Sequence, residues 1–276
     1  MKSIAVLLTV FNRKEKTLEC LKRLYSLLPL DGYQVDVYLT DDGCTDGTPE
    51  AVAEQFPQVN VIHAKGDLFW NRGMWTAWDT AAKARDYDFY LWLNDDTFAY
   101  DNMLKVLTEA AKGTKEEAII VGATESSDHS SVTYGGRVKG GIVPKPNGKL
   151  IPVDCFNGNI VLIPQSAYHI LGNLDYYFTH SKGDFDYGMR AKKAGVAMYQ
   201  AGEILGECDA HATFDKWCNP NVPFSKRWKM MHKPNGMPPK ETFHLEKRHK
   251  SSVVACIHFL SIHVRCLFPK LWIKNN

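Results

Sequence analysis

Residues 4–10 form an almost unbroken apolar run, the pattern of a strand buried on both faces of a parallel sheet. Asn12 then introduces a helix over 13–28, in which Leu18, Leu21, Leu24, Tyr25 and Leu28 recur at helical spacing. A second strand over 35–40 runs directly into the polar turn Asp41-Asp42-Gly43-Cys44-Thr45-Asp46-Gly47. The turn leads to a helix over 49–55 and a short strand over 59–63, and a further helix over 70–84 precedes a buried strand over 87–93 that stops at Asn94-Asp95-Asp96. Strand and helix alternating in this way predict a doubly wound α/β sheet, in which ligands bind beyond the carboxyl ends of the strands. The polar clusters fall at those ends.

From 113 to 157 the pattern is mixed, with a strand over 119–121 and a Gly/Pro-rich stretch over 135–152 that reads as a hairpin or mobile loop. A short strand over 159–163, helical spacing over 185–194 and two strands near 196–199 and 204–207 follow. Beyond Phe224 the pattern reads as helices broken by Pro234, Pro238 and Pro239. A chain of 276 residues, 45% hydrophobic and 23% charged, has the composition of a globular protein with room for one large domain and an appendage. We expect residues 1–215 to form the α/β domain and 216–276 a basic, aromatic-rich helical extension.

Charge sharpens that division. From Lys216 onward there are 12 Lys/Arg and 2 Asp/Glu, a net +10, whereas the preceding part carries −8. Such a tail suits an anionic partner: lipid headgroups, a phosphorylated acceptor or nucleic acid. No nucleic-acid-binding module accompanies the charge, so nucleic acid is not expected. The tail interleaves Trp228, Phe243, Phe259, Leu260, Leu267, Phe268 and Trp272 with Lys and Arg, and Pro269 interrupts its last portion. That portion is a poor transmembrane span, and it reads either as a helix at the inner face of the membrane or as one packed on the α/β domain or a second subunit. Seven cysteines without a C-x-x-C pair, and a start lacking a secretory signal, point to reduced thiols and a cytoplasmic location.

Four constellations carry chemistry. Carboxylates at the 41–46 turn can read the imide N–H and ribose hydroxyls of a nucleotide, although an Asx turn with a helix cap accounts for the same residues. Asn94-Asp95-Asp96 closes so hydrophobic a strand that adjacent carboxylates must face solvent or bind a cation, for which hard oxygen ligands suit Mg²⁺ or Mn²⁺. The segment from Gly66 to Met74 brings Asp67, two aromatics and Arg72 to the same sheet edge, where the aromatics also suit a core. Gly183-Asp184-Phe185-Asp186-Tyr187-Gly188-Met189-Arg190 opens a helix with acids, as helix capping alone would also have it. His211, flanked by Asp209 and Asp215, could complete a cation's ligand set or be merely structural.

In this order and spacing the motifs resemble glycosyltransferase family 2, especially its bacterial rhamnosyltransferase-like members. The resemblance covers residues 1–211 and rests on the opening segment 4–13, the Asp41 to Gly47 turn, Gly66 to Met74, Leu93-Asn94-Asp95-Asp96-Thr97, Phe156-Asn157-Gly158-Asn159 and Gly183 to Arg190. It implies a GT-A fold, a nucleotide-diphospho-sugar transferase architecture with a mainly parallel mixed sheet flanked by helices. It also implies nucleotide contacts from Thr9, Asp41 and Asp67, with Arg72 in the same donor site, Asp95 on the ribose side, and Asp96 on a divalent cation with help from His211. Asp184 would be the catalytic base. Three positions depart from the family pattern: Asn94 stands at the first position of D-x-D, Cys44 replaces Ser, and Gly183 replaces the acid that often precedes the base.

The implied reaction is inverting transfer of a sugar from a nucleotide-diphosphate donor, UDP- or dTDP-linked in preference to GDP-linked, to a glycan or lipid-linked acceptor hydroxyl in bacterial surface polysaccharide or glycan synthesis. A nucleotidyltransferase that makes sugar nucleotides is the first alternative, and the run after Val10 lacks the Gly-rich basic loop it would need. A non-catalytic nucleotide- or glycan-binding protein on the same fold is the second, and Asp96 and Asp184 speak against it.

Overall fold

The computed structural model describes residues 1–210 and 216–272. Strands β1 (Lys2–Val10), β2 (Tyr33–Asp41), β3 (Asn60–His63) and β4 (Phe89–Leu93) alternate with helices α1 (Lys14–Ser26), α2 (Thr48–Gln55) and α3 (Phe69–Ala84). Then come β5 (Phe98–Ala99), α4 (Met103–Gly113), β6 (Ile119–Glu125), β7 (Gly136–Arg137), β8 (Ile151–Pro152), β9 (Cys155–Phe156), β10 (Ile160–Pro164), α5 (Gln165–Leu171), α6 (Gly183–Lys193) and β11 (Met198–Glu207). After a short 3-10 turn (Lys216–Cys218) the chain is helical, with α7 (Phe224–Met231), α8 (Pro239–His249) and α9 (Ser252–Leu267). No helix among the described residues is long and apolar enough to cross a membrane.

Nine strands form the main sheet, in the order β3-β2-β1-β4-β10-β6-β11-β5 with β8 beside β11. β1 is the pivot: β2 lies parallel on one side and β4 parallel on the other. This change of winding direction opens a crevice at the carboxyl ends of β1 and β4. β10 enters antiparallel between β4 and β6, which makes the sheet mixed.

The sheet is covered on both faces, as strand periodicity requires. Ile4, Val6, Leu8 and Val10 pack with Cys20, Leu21 and Leu24 of α1 and Leu104 and Leu107 of α4. Ala5 and Leu7 point the other way, toward Met74, Ala77 and Trp78 of α3 and Tyr187 of α6. Trp78 is fully buried at the centre of this second layer, with its ring 5.4 Å from Tyr90 and Trp92 and 5.5 Å from Tyr187.

Some elements differ from expectation. The two strands expected near 196–199 and 204–207 are one strand, β11, whose register against β6 shifts between Gln200 and Gly206. The stretch 135–152 is not a self-contained hairpin, because Gly136 pairs with Phe156 and Ile151 with Gln200. α4 was not anticipated, although Met103, Leu104, Leu107 and Ala111 bury one face of it.

The chain divides into two compact units. The first comprises Met1–Tyr176 and Gly183–Ala210, and the second Tyr177–Lys182 with the described residues after 210. In the second unit α8 and α9 pack together, Trp217, Cys218, Met231, Ile262 and Cys266 form a small core, and Glu241 accepts a hydrogen bond from the Thr179 hydroxyl at 2.8 Å.

Trp78→Ala should lower the unfolding free energy by roughly 3–5 kcal/mol, whereas Ile170→Ala at an exposed position of α5 should change it by less than about 0.5 kcal/mol. Urea denaturation distinguishes the two, and equal effects would contradict this placement of the core.

Candidate active site

Because β1 to β4 are parallel, their carboxyl ends share one rim. β10 runs against β4 with Ile160 opposite Leu93, so residues 156–159 arrive at the same rim. β11, parallel to β6, also ends there, which brings in Cys208.

The crevice between β1 and β4 is spanned by one cation and two anions. Arg13 Nη1 lies 3.2 Å from Asp95 Oδ1 and 2.7 Å from Asp96 Oδ2. Asp95 also receives the Thr17 hydroxyl at 3.4 Å. Burial pushes the Asp95 carboxyl up to about 7, with the Arg13 charge opposing the shift and the Asp96 charge adding to it. A strand end this apolar holds paired carboxylates only beside positive charge. Asn94 has a different task. Its Oδ1 accepts the Trp70 indole N–H at 2.7 Å, and its backbone N–H donates to Asn159 O at 3.1 Å.

Asp184 sits in the first turn of α6. Its Oδ2 accepts the Gly158 N–H at 3.2 Å and its Oδ1 the Phe185 N–H at 2.8 Å. Burial raises this carboxyl to about 6, opposed by those two N–H groups and then by Arg137. Burial thus outweighs the preference of a helix amino end for negative charge, and the carboxyl lies near 6 instead of in the usual carboxylate range. The 158–159 segment holds Asp184 at Gly158 and Asn94 at Asn159, and so ties the proposed base to the strand end bearing Asp95 and Asp96.

The other expected residues are arranged around this centre. Thr9 is buried on the α3 side of β1, where a Cβ on Gly73 would collide with it. Asp41 accepts the Cys44 N–H at 2.8 Å and lies 2.9 Å from His63 Nδ1. Burial would raise the Asp41 carboxyl, but these partners hold it below the usual range. The Asx turn considered for this segment is formed by Asp46, whose Oδ1 accepts the Thr48 N–H at 3.1 Å, and both Asp41 oxygens retain lone pairs for a ligand. Asp67 is exposed on the loop after β3. Arg72 lies over the Tyr176 ring at 5.0 Å and donates to Tyr176 O at 3.1 Å. His211 lies outside the described residues.

Two contributors were not singled out from the sequence. Arg13 belongs to the opening motif, where local spacing marks it only as the start of a helix. Asp42 accepts the Leu68 and Phe69 N–H groups at 3.0 and 2.8 Å, fastening the β2 turn to the amino end of α3. Gly43, at φ +74, passes so close to Gly66 that a Cβ there would lie 2.8 Å from Gly66 N.

The family model for glycosyl transferase family 2 matches residues 5–214. The chain belongs to that family. It is accordingly a glycosyltransferase. A search of curated proteins finds no match. Among solved structures, S. aureus TarS 1–349 is similar at a TM-score of 0.55 and 13% identity, covering 99% of this chain and 73% of that one. TarS 1–349 in complex with UDP-GlcNAc gives 0.55 and 15%, covering 100% and 77%. TarS 1–349 in complex with UDP gives 0.54 and 15%, covering 84% and 72%. Against the longer S. aureus TarS structure the chain spans 44% of the length. At these identities the likeness establishes the fold, which is the GT-A type.

Within family 2, the departure at Gly183 has a structural reason here. A Cβ at 183 would overlap Asn71 Oδ1, and Asn71 is held by its Nδ2 donating to Asp175 O at 2.9 Å. Gly158 N–H, and not a preceding acid, orients Asp184.

The rim can be tested for a divalent cation from its donors. Asp95 and Asp96 supply hard oxygens, and no group of three or more His, Cys, Asp or Glu among the described residues could hold a metal by itself. Cys208 Sγ lies 4.0 Å from Asp96 Oδ1, but a soft sulfur is a poor match for hard Mg²⁺ or Mn²⁺ beside carboxylate oxygens. The donors fit Mg²⁺ or Mn²⁺ bound through one or two carboxylates, with diphosphate and water completing the shell.

Gly183→Ala should cost about 1–3 kcal/mol through overpacking against Asn71. Combining it with Asn71→Ala should cost less than the sum of the single changes. Thermal denaturation of the three variants checks this, and strict additivity would contradict the contact.

Proposed function

We propose that this glycosyltransferase catalyses inverting transfer of a sugar from a UDP-linked donor to a hydroxyl of a glycan or lipid-linked acceptor, with Asp184 as base. The observation that carries the reading is the Asp184 carboxylate, held by Gly158 N–H beside the strand end that bears Asp95 and Asp96. The UDP and UDP-GlcNAc complexes of the similar S. aureus TarS 1–349 support a uridine donor. A dTDP-sugar would suit the same imide-reading carboxylates.

Asp184 takes the proton as the acceptor oxygen bonds to the anomeric carbon, and the bond from that carbon to the diphosphate oxygen breaks on the opposite face. The configuration inverts. Asp96, with Asp95 behind it, would hold Mn²⁺ or Mg²⁺, which supplies charge neutralisation to the departing diphosphate. Arg13 offers fixed positive charge at the same place. Asp41 and Asp67, with Thr9 and Arg72, form the nucleoside side of the site. His211 remains our candidate for an additional cation or diphosphate contact.

We take residues 1–215 as the catalytic domain and 216–276 as an extension. The reading places the enzyme in the cytoplasm, in bacterial surface polysaccharide or glycan synthesis.

Asp184→Asn should lower transfer by roughly 10²–10⁴-fold, the usual worth of a general base, with UDP affinity unchanged by calorimetry. Full activity in that variant would remove Asp184 from the role. A base must be ionised, so kcat/KM of the wild type should fall about tenfold per pH unit below its pKa, which is about 6, and level off above it. A profile flat between pH 5 and 8 would count against the assignment. Asp96→Ala should weaken Mn²⁺-dependent UDP binding by about tenfold or more and leave cation-free binding unaltered, and an unchanged Mn²⁺ dependence would contradict the ligand.

A further inference from the structure

α9 is fixed to its unit by one side only. Ala255, Ile262 and Cys266 are buried, and Ile262 and Cys266 join Trp217, Cys218 and Met231 in the small core. The buried Arg227 donates its Nε–H to Cys266 O at 2.9 Å, which anchors the carboxyl end of the helix. The other side carries Val253, Ile257, Leu260, Val264, Leu267 and, in the turn beyond, Leu271, all between 40 and 73% exposed. They recur every three or four residues, so they form one continuous apolar stripe. Exposed apolar side chains in contiguous register, unlike scattered ones, mark a surface that is covered in use.

The surroundings of the stripe indicate what covers it. α9 contains no Asp or Glu, and the chain from Lys216 carries a net +10. Lys226, Lys229, Lys233, Lys247 and Lys270 of the same unit are exposed. Trp228 of α7 is exposed as well, and its ring lies 5.6 Å from His263 of α9. A second copy of this unit would bring the same positive charge to the seam with no acid on α9 to offset it. An anionic bilayer offers both what the stripe needs and what the lysines need, and tryptophan with lysine is the usual company of a helix lying at a membrane interface.

We propose that α9 docks this protein on anionic membranes, lying in the interfacial plane with the stripe from Val253 to Leu271 in the acyl boundary and the lysines among the headgroups. The helix lies on the bilayer and does not cross it, since no described helix is long and apolar enough to span. The inference rests on the second unit alone and does not depend on the proposed transfer reaction.

The test is flotation of the full-length protein with vesicles of phosphatidylcholine alone and of phosphatidylcholine with 30% phosphatidylglycerol, alongside light scattering without lipid. Binding to the anionic vesicles is expected, at least about tenfold stronger than to neutral ones and weakened by 0.5 M NaCl, as screened lysine contacts require. Leu260→Asp with Val264→Asp should abolish it while the UDP affinity measured by calorimetry is unchanged, showing that the catalytic unit is still folded. Lys226→Glu with Lys229→Glu provides a second variant that leaves the stripe intact, and it should reduce anionic binding without affecting the oligomeric state. A dimer dissociated by the Asp substitutions, with no vesicle binding, would overturn the proposal in favour of a second copy. Equal binding to both vesicle types, or none to either by a monomer, would overturn it as well.

Discussion

The site depends on positive charge reaching two carboxylates at the end of a strand that is otherwise wholly apolar. β4 is buried along its length, and the chain leaves it through Asn94, Asp95 and Asp96. Placing Asp95 in that setting carries its carboxyl to about 7 even with Arg13 beside it. Arg13 lies just past β1 and the acids just past β4, so the contact exists only because the sheet sets those strands side by side. The topology that creates the crevice therefore also brings the positive charge that offsets the acids within it.

The rest of the rim follows from how the sheet is wound. An antiparallel β10 delivers residues 156–159 to the ends of parallel strands, and there Gly158 N–H meets Asp184 while Asn159 O meets Asn94. Two carboxyls far apart in the chain thus sit in desolvated settings with different partners. Asp95 faces a guanidinium and Asp184 faces backbone N–H groups. In the reaction we propose, that difference would separate an electrostatic role from a proton-accepting one.

Much of this was legible in the chain before folding. Apolar runs bounded by polar turns located β1, β2 and β4, because strands buried on both faces leave no other pattern, and acidic clusters fall at the carboxyl ends of β2 and β4. Strand direction was not legible: residues 159–163 read as a strand, but an apolar run carries no sign that it runs antiparallel to its neighbour. The partnership of Arg13 with Asp95, 82 residues later, is a consequence of strand order and has no local signal. The same holds for Gly183, whose lack of a side chain makes sense only against Asn71. The apolar face of α4 is present in the sequence at Met103, Leu104 and Leu107, but no capping side-chain hydrogen bond marks where that helix begins.

The most direct measurement of the central claim is anomalous diffraction from crystals grown with UDP and Mn²⁺. A manganese peak is expected at the crevice of β1 and β4, bonded directly to Asp96 and to the diphosphate, with Arg13 still against the carboxylates or turned to the phosphates. A nucleotide bound with its metal or diphosphate away from Asp95 and Asp96 would contradict it.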